Sequence, residues 1–323
     1  MSSIAVLGEA LVDLHVVDEA RSRDENRPGT HRYIAQPGGS PFNVAIGLAR
    51  LGHRTQFVGR FAQDALGGIL RRHAQQSGVA TDWSGTWTGP SPTALFDLDA
   101  DGSARYEFHL GDARKSMFAA SDAERIEPAE LDALHFGSIA AWLPGSGESV
   151  LAAVARLRES GVFVSYDPNI RAELIPDRAR TLALTEQAAG SSDLIKASEE
   201  DLAWLYPGRT PERIANEWLT RGTIAVVVTR GSEGADCYTA NGRIHSVGHP
   251  VDVVDTVGAG DAFMAGLLDA LTAAGALSRP GLADLLTDPS ATQGVTDAAC
   301  THAAATCAVP GADPPWRSAP VAA

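Results

Sequence analysis

Short β-branched or apolar runs alternate with longer Ala/Leu-rich stretches along most of the chain. Residues 4–7, 55–58, 134–136, 162–166, 194–196 and 224–229 read as strands. Residues 43–51, 67–76, 147–160, 179–189 and 199–205 read as helices between them. This rhythm leaves few folds open. It predicts an α/β protein with three layers, α/β/α, built on a mostly parallel sheet covered on both faces. The run 224–229 is continuously apolar or β-branched, as a buried central strand is.

Two segments break the rhythm. Residues 11–17 and 31–34 flank a polar loop at 18–30, and residues 94–99 and 104–109 flank Ala100-Asp101-Gly102-Ser103. Asp101-Gly102 is a hairpin-turn signal, and both pairs alternate as half-exposed antiparallel strands do. They predict a small antiparallel β lid standing off the main body and placed to close over a cleft. The tail from Pro310 is Pro/Ala-rich and is expected to run over the surface, and no internal repeat is present.

At 323 residues the chain allows two domains, or one large α/β unit with an accessory piece. Its 26 Lys+Arg against 40 Asp+Glu give a net charge of −14, with no run of basic residues longer than two. That balance excludes a nucleic-acid or anionic-membrane surface but not a nucleotide, whose phosphates backbone N–H groups can hold. No apolar run approaches the ~18–20 residues that span a bilayer. Met1-Ser2-Ser3-Ile4 lacks the basic and apolar regions of a secretory signal, so a cytoplasmic protein is expected. The three cysteines, Cys237, Cys300 and Cys307, have no metal-ligand spacing and read as buried thiols.

Chemistry concentrates in a few motifs. Asp255-Thr256-Val257-Gly258-Ala259-Gly260-Asp261-Ala262-Phe263 follows a predicted short strand at 251–254 and opens an apolar helix at 262–271. Glycines at a helix start let the backbone approach an anion, and the free N–H groups favour negative charge there. Asp261 would face that anion, where a carboxylate helps only by accepting a proton, so general base is its natural role. The plain alternative is a glycine turn with an acidic cap.

Gly38-Gly39-Ser40-Pro41-Phe42-Asn43 also precedes a helix, and Asn43 offers both a donor and an acceptor to a neutral polyol; a capped loop is the alternative. Asp13 could accept two sugar hydroxyls or simply be solvated. Tyr166-Asp167-Pro168-Asn169-Ile170-Arg171 ends a strand, on the edge where ligands of open α/β sheets gather. Thr229-Arg230-Gly231-Ser232-Glu233-Gly234 is another phosphate-compatible turn. There is no P-loop and no protein-kinase motif set, and Phe263 stands where a dinucleotide fingerprint needs a small residue.

Together the two glycine motifs, in this order and with the βα pattern between them, resemble the signatures of the ribokinase family, the phosphofructokinase B-type carbohydrate kinases. The resemblance covers about residues 4–312 and implies one kinase domain over 1–312, with the lid inserted and 313–323 as a tail. It implies a ribokinase-like fold that uses ATP and Mg2+. Asp261 matches the catalytic base, and Gly258, Ala259 and Gly260 the anion hole. Asp13, Gly38, Gly39 and Asn43 match sugar-binding positions, and Arg171 a residue near sugar and phosphate. Thr229 and Gly231 match the nucleotide-side turn, and the helix at 297–308 the wall of the adenine pocket. Homodimerisation through the lid is common among relatives.

Where many members carry Asn-x-x-Glu for magnesium, this chain has Ser198-Glu199-Glu200-Asp201, with Lys196 upstream as a further phosphate contact. Asp201 then stands for the magnesium position, and Asp255 for one ligand of the potassium site of some members. Asp-Pro-Asn-x-Arg with Lys196-x-Ser198-Glu199-Glu200 looks most like bacterial fructokinases. His109 stands near where acid-sugar kinases place an arginine, which disfavours an acid sugar. The implied substrates rank as fructose, then ribose, then 2-keto-3-deoxygluconate or a nucleoside. A non-catalytic sugar or nucleotide sensor on the same scaffold is the reading from another class, and a dehydrogenase comes third.

Overall fold

The alternation becomes one twisted sheet in the computed structural model of the chain, which describes residues 1–16, 33–98, 104–115 and 117–317. In chain order the first strands are β1 (Ser3–Leu7), β2 (Leu11–Val16), β3 (Tyr33–Gly38), β4 (Arg54–Val58) and β5 (Arg60–Ala62). Next come β6 (Gly85–Trp87), β7 (Thr93–Leu98), β8 (Ala104–His109), β9 (Ala133–Gly137) and β10 (Phe163–Asp167). The last are β11 (Leu194–Ser198), β12 (Ala225–Thr229), β13 (Ala235–Thr239) and β14 (Gly242–Ser246).

The central sheet runs β14-β13-β12-β11-β10-β9-β1-β4. It is parallel from β12 to β4 and ends in an antiparallel edge made by β13 and β14. Burial on both faces follows from the residue period of two. Ile4 and Val6 of β1 enter one core while Ala5 and Leu7 enter the other, and β12 divides Ala225 and Val227 from Val226 and Val228 in the same way.

The second sheet, β3-β2-β7-β8, is the expected lid. Its two hairpin pairs are antiparallel as expected, but the pair that joins them, β2 with β7, is parallel. The reason is that both strands leave the main body in the same direction. β3 begins at Tyr33 and runs on to Gly38, past the expected end at 34, because its register with β2 carries through to Leu11. The expected loop at 18–30 and the Asp101-Gly102 turn lie outside the described residues.

Some expectations need correction. Residues 251–254 form no strand, and Val253 and Val254 are exposed, so the apolar run there was a loop. The helix after it starts at Ala259 and runs to Ala273, which puts Asp261 inside its first turn. The helix Ser40–Arg50 likewise begins before Asn43. Helix Pro289–Cys307 contains most of the expected 297–308 segment. Helices Pro211–Thr220 and Arg279–Leu285 were not anticipated, although Thr210 and Ser278 cap them with a proline in the first turn. Cys237 and Cys300 are buried and Cys307 partly so, all three free thiols. Among the described residues no helix is long and apolar enough to cross a membrane.

Helix Ala259–Ala273 packs between helices Ser40–Arg50 and Pro289–Cys307. Beneath the start of helix Ser40–Arg50, Phe42 meets Phe57 edge to face, with ring centroids 5.1 Å apart, and Phe61 at 6.0 Å. The chain beyond residue 312 straps back over this helix. Arg50 Nη1 pairs with Asp313 and donates to the Pro314 carbonyl at 2.7 Å, and Arg317 Nε donates to the Leu51 carbonyl at 2.7 Å.

Phe42 is fully buried and anchors the turn that carries Ser40 and Asn43. Phe42→Ala is expected to cost about 3–5 kcal/mol of stability in urea unfolding, the usual loss for a buried aromatic. A cost below about 1 kcal/mol would show that the cluster does not hold this helix start.

Candidate active site

The parallel strands end at one edge, and a cavity of about 250 Å³ opens there. Its wall is supplied by Glu9 just after β1, Asp13 on β2, Gly39, Ser40 and Asn43 at the start of helix Ser40–Arg50, and Gly258, Gly260 and Asp261 at the start of helix Ala259–Ala273. Ser138, Asn169, Arg171 and Lys196 line it from the ends of β9, β10 and β11, and the lid contributes Phe108.

Asp261 is buried and held from two directions. The Ser40 hydroxyl donates to Oδ1 at 2.6 Å, and Asn43 Nδ2 donates to Oδ2 at 2.9 Å. Burial raises its pKa above the ordinary carboxylate value, against the two hydrogen bonds and the charges of Lys196 and Arg171. A carboxylate with raised proton affinity, fixed in place, is suited to take a proton from a bound hydroxyl. Gly258, the N-cap of its helix, has φ +77°, the left-handed conformation that glycine adopts without strain.

Lys196 reaches this turn. Its Nζ lies 2.9 Å from where a Cβ on Gly260 would stand, and it pairs with Asp167 Oδ2 at 2.6 Å. Burial works against the ammonium charge, but Asp167, Asp201 and Asp261 outweigh it and raise the lysine pKa. Asp167 Oδ1 accepts from the Asn169 N–H at 3.1 Å, and Asn169 Oδ1 accepts from Arg171 Nη1 at 2.6 Å. One turn after β10 therefore orients both cations.

Asp13 lies against β3, where a Cβ on Gly38 would sit 2.1 Å from its Oδ2. Gly38 thus makes room for the carboxylate without lining the cavity itself. Burial pushes the Asp13 pKa up to about 7, with Arg171 opposing and the charge of Asp261 adding to the rise. Gly39 takes φ +100° where the chain turns into helix Ser40–Arg50.

Other expected site residues lie elsewhere. Ser198 and Asp201 form a reciprocal cap: Ser198 Oγ accepts from the Asp201 N–H and Asp201 Oδ2 from the Ser198 N–H, each at 3.0 Å. Asp201 Oδ1 accepts from the Ile170 N–H at 2.7 Å. Asp255 accepts from the Val257 N–H at 3.0 Å and the Gly311 N–H at 2.9 Å, tying the glycine turn to the C-terminal strap. Both carboxylates, expected at metal positions, are thus engaged by backbone. No group of three or more His, Cys, Asp or Glu that could hold a metal occurs among the described residues. Thr229 and Gly231 stand at the end of β12, and Ala259 starts its helix, none of them in the cavity wall. His109 is exposed and contacts Glu107, also outside the wall.

Sequence reasoning gave no role to Glu9, Ser40, Asp167 or Ser138. Ser40 and Asp167 stand inside motifs already singled out, but only their tertiary partners reveal what they do.

The family model described as pfkB family carbohydrate kinase matches residues 1–312. A fructokinase of Rhizobium leguminosarum bv. trifolii is 35% identical over 283 residues, covering 87% of this chain and 83% of that protein. The structure of a Vibrio cholerae O395 fructokinase in its fructose, ADP and calcium ion bound form matches at TM-score 0.79 and 27% identity, covering 97% of this chain and 95% of that one. A Xylella fastidiosa fructokinase structure with bound ATP has the same fold, with TM-score 0.85 at 24% identity over 96% and 94% of the two chains. The matched span takes in the sheet, the lid and the cavity with Asp261 at its base, and the chain belongs to the pfkB family of carbohydrate kinases.

Proposed function

We propose that this protein is an ATP-dependent fructokinase that transfers the γ-phosphoryl group to the terminal hydroxyl of D-fructose, with Asp261 as general base. The observation that carries the reading is the buried Asp261 carboxylate, fixed by Ser40 and Asn43 at the glycine turn of its helix. Asp13 and Asn43 bind sugar hydroxyls, and Asp261 takes the proton of the terminal one. The sugar oxygen then bonds to the γ-phosphorus as the bond to the β-phosphate oxygen breaks, and ADP leaves. The N–H groups at the Gly258 to Gly260 turn and the Lys196 ammonium offset the charge on the transferred group. The lid, through Phe108, excludes water from the closed site.

The relatives favour fructose, and the charges of the cavity favour a neutral sugar. Among the described residues, the cations that act on Glu9, Asp13, Asp167 and Asp261 in the cavity wall are Lys196 and Arg171. A sugar acid would add a further negative charge there, with no third cation in the wall among the described residues. The donor set fits magnesium brought in on the nucleotide and held by phosphate and water, the usual habit of this ion. Bound so, it would neutralise phosphate charge. Asp201 and Asp255 keep their places as the magnesium and potassium positions, since accepting backbone N–H bonds leaves each carboxylate lone pairs for an ion.

The test is ADP formation from Mg·ATP with fructose, ribose, 2-keto-3-deoxygluconate, adenosine or no sugar. Turnover with fructose well above the others is expected, and turnover confined to another acceptor would overturn the substrate. Asp261→Asn should bind sugar nearly as well as the native protein and lose about 10²–10⁴ in kcat, the usual worth of a general base. Near-native kcat in that variant would remove Asp261 from the role.

The titration of Asp13 adds a second expectation. With a pKa of about 7 in the free protein, held between burial, Arg171 and Asp261, Asp13 loses its charge as pH falls. Because kcat/KM reports free-enzyme groups, kcat/KM for the sugar should fall as pH drops through about 7 and level off above it. A flat profile from about pH 5.5 to 8 would contradict an ionised Asp13 in sugar binding.

A further inference from the structure

One carboxyl in the cavity wall takes no part in the steps above. Glu9 is 3% exposed. Its Oε2 accepts from the Ala140 N–H at 3.0 Å, in the short helix Ser138–Trp142 that follows β9. Its Oε1 is equally buried and has no hydrogen-bond partner. Proteins pair nearly all their buried polar atoms, and an unpaired one is costly to keep. Ala140 takes up Oε2, and the nearby Ser138 side chain favours the charged carboxylate without hydrogen-bonding Oε1, so neither accounts for the second oxygen.

The same wall carries unusual backbone. Ser138 has φ +55° and Asn169 φ +38°, the only non-glycine residues with positive φ among the described residues, and both line the cavity. Strain of this kind persists where the fold holds it in place and gathers at ligand sites. Burial raises the proton affinity of Glu9, against the Ala140 and Ser138 contacts and the charge of Arg171. A carboxylate accepts at both oxygens, and a protonated carboxyl can also donate from one, so in either state Oε1 suits a sugar hydroxyl.

We infer that Glu9 is a substrate-binding residue whose Oε1 pairs with one of the sugar hydroxyls that is not phosphorylated. The inference rests on the sugar-kinase reading above and deepens it. Asp261 takes the proton, Asp13 accepts hydroxyls on the lid side, and Glu9 selects for a further hydroxyl at the carboxyl end of β1. The ligand class is a neutral polyol with a hydroxyl at that position. An analogue without the hydroxyl would leave Oε1 without a hydrogen-bond partner.

Steady-state kinetics of the full chain test this, with saturating Mg·ATP and fructose or its 1-, 3- and 4-deoxy analogues. Glu9→Gln, which keeps an acceptor for Ala140 and a donor for the sugar, should hold KM for fructose within about threefold. Glu9→Leu should raise that KM about 10–100-fold with a smaller change in kcat, the scale of one hydrogen bond to a buried polar group. It should also stop distinguishing fructose from one deoxy analogue that the native enzyme rejects.

If Glu9→Leu discriminates among all the analogues as the native enzyme does, Glu9 only holds Ala140 and the inference falls. Should Glu9→Leu not fold, Glu9→Asp, with its carboxyl drawn back by one methylene, gives the same two-way result. If the native enzyme phosphorylates another sugar and not fructose, the deoxy series of that sugar replaces it. The substrate proposal then fails while Glu9 is still judged by the same comparison.

Discussion

A carboxylate held by two hydrogen bonds joins helices whose contacting residues lie 221 and 218 positions apart in the chain. Asp261 could not be buried at the base of the cavity without Ser40 and Asn43, because an unpartnered buried carboxylate is strongly disfavoured. The contact therefore demands that both helices start at the same point of the sheet edge. Their packing supports this: a Cβ on Gly47 would stand 2.8 Å from Ala265 Cβ, so the glycine lets the two helices approach closely. The Phe42 cluster below and the C-terminal strap above hold helix Ser40–Arg50 in that position.

The electrostatics follow from this arrangement. Among the described residues, four buried or half-buried acids share two cations, and burial lifts the proton affinity of each acid. Lys196 is the pivot, since it neutralises Asp167, lies against Gly260 and acts on Asp261 at once. The site is thus prepared for a neutral acceptor on the acidic side and for phosphate on the side of the glycine turn. The lid sheet adds the Asp13 carboxyl on the acidic side and the apolar Phe108 to the wall.

Much of this was legible in the sequence for local reasons. Strands β1 and β12 are largely apolar, buried runs, and the glycine-rich start of helix Ala259–Ala273 marks an anion site with an acid in its first turn. What was not legible depends on partners far along the chain. That Asp201, which caps its helix with Ser198, also holds the Ile170 N–H from 31 positions away is one such contact. Asp255 accepting from the Gly311 N–H, 56 positions on, is another. Residues 251–254 had the composition of a strand but no neighbour to pair with. The edge hairpin β13–β14 was missed because its outer strand faces solvent and carries no apolar run. Ser40 and Glu9 drew no notice because nothing in a sequence reports which oxygen a hydroxyl meets or which one is left without a partner.

The most direct measurement of the central claim is the pH profile of kcat for Ser40→Ala beside the native enzyme. The Ser40 hydroxyl favours the charged form of Asp261 and so lowers its pKa against burial. Its removal should raise that pKa, so the acidic limb of kcat should move to higher pH while the plateau stays within about tenfold of native. An unmoved acidic limb would contradict the account, because it would mean that Asp261 is not the titrating base or that Ser40 does not hold it.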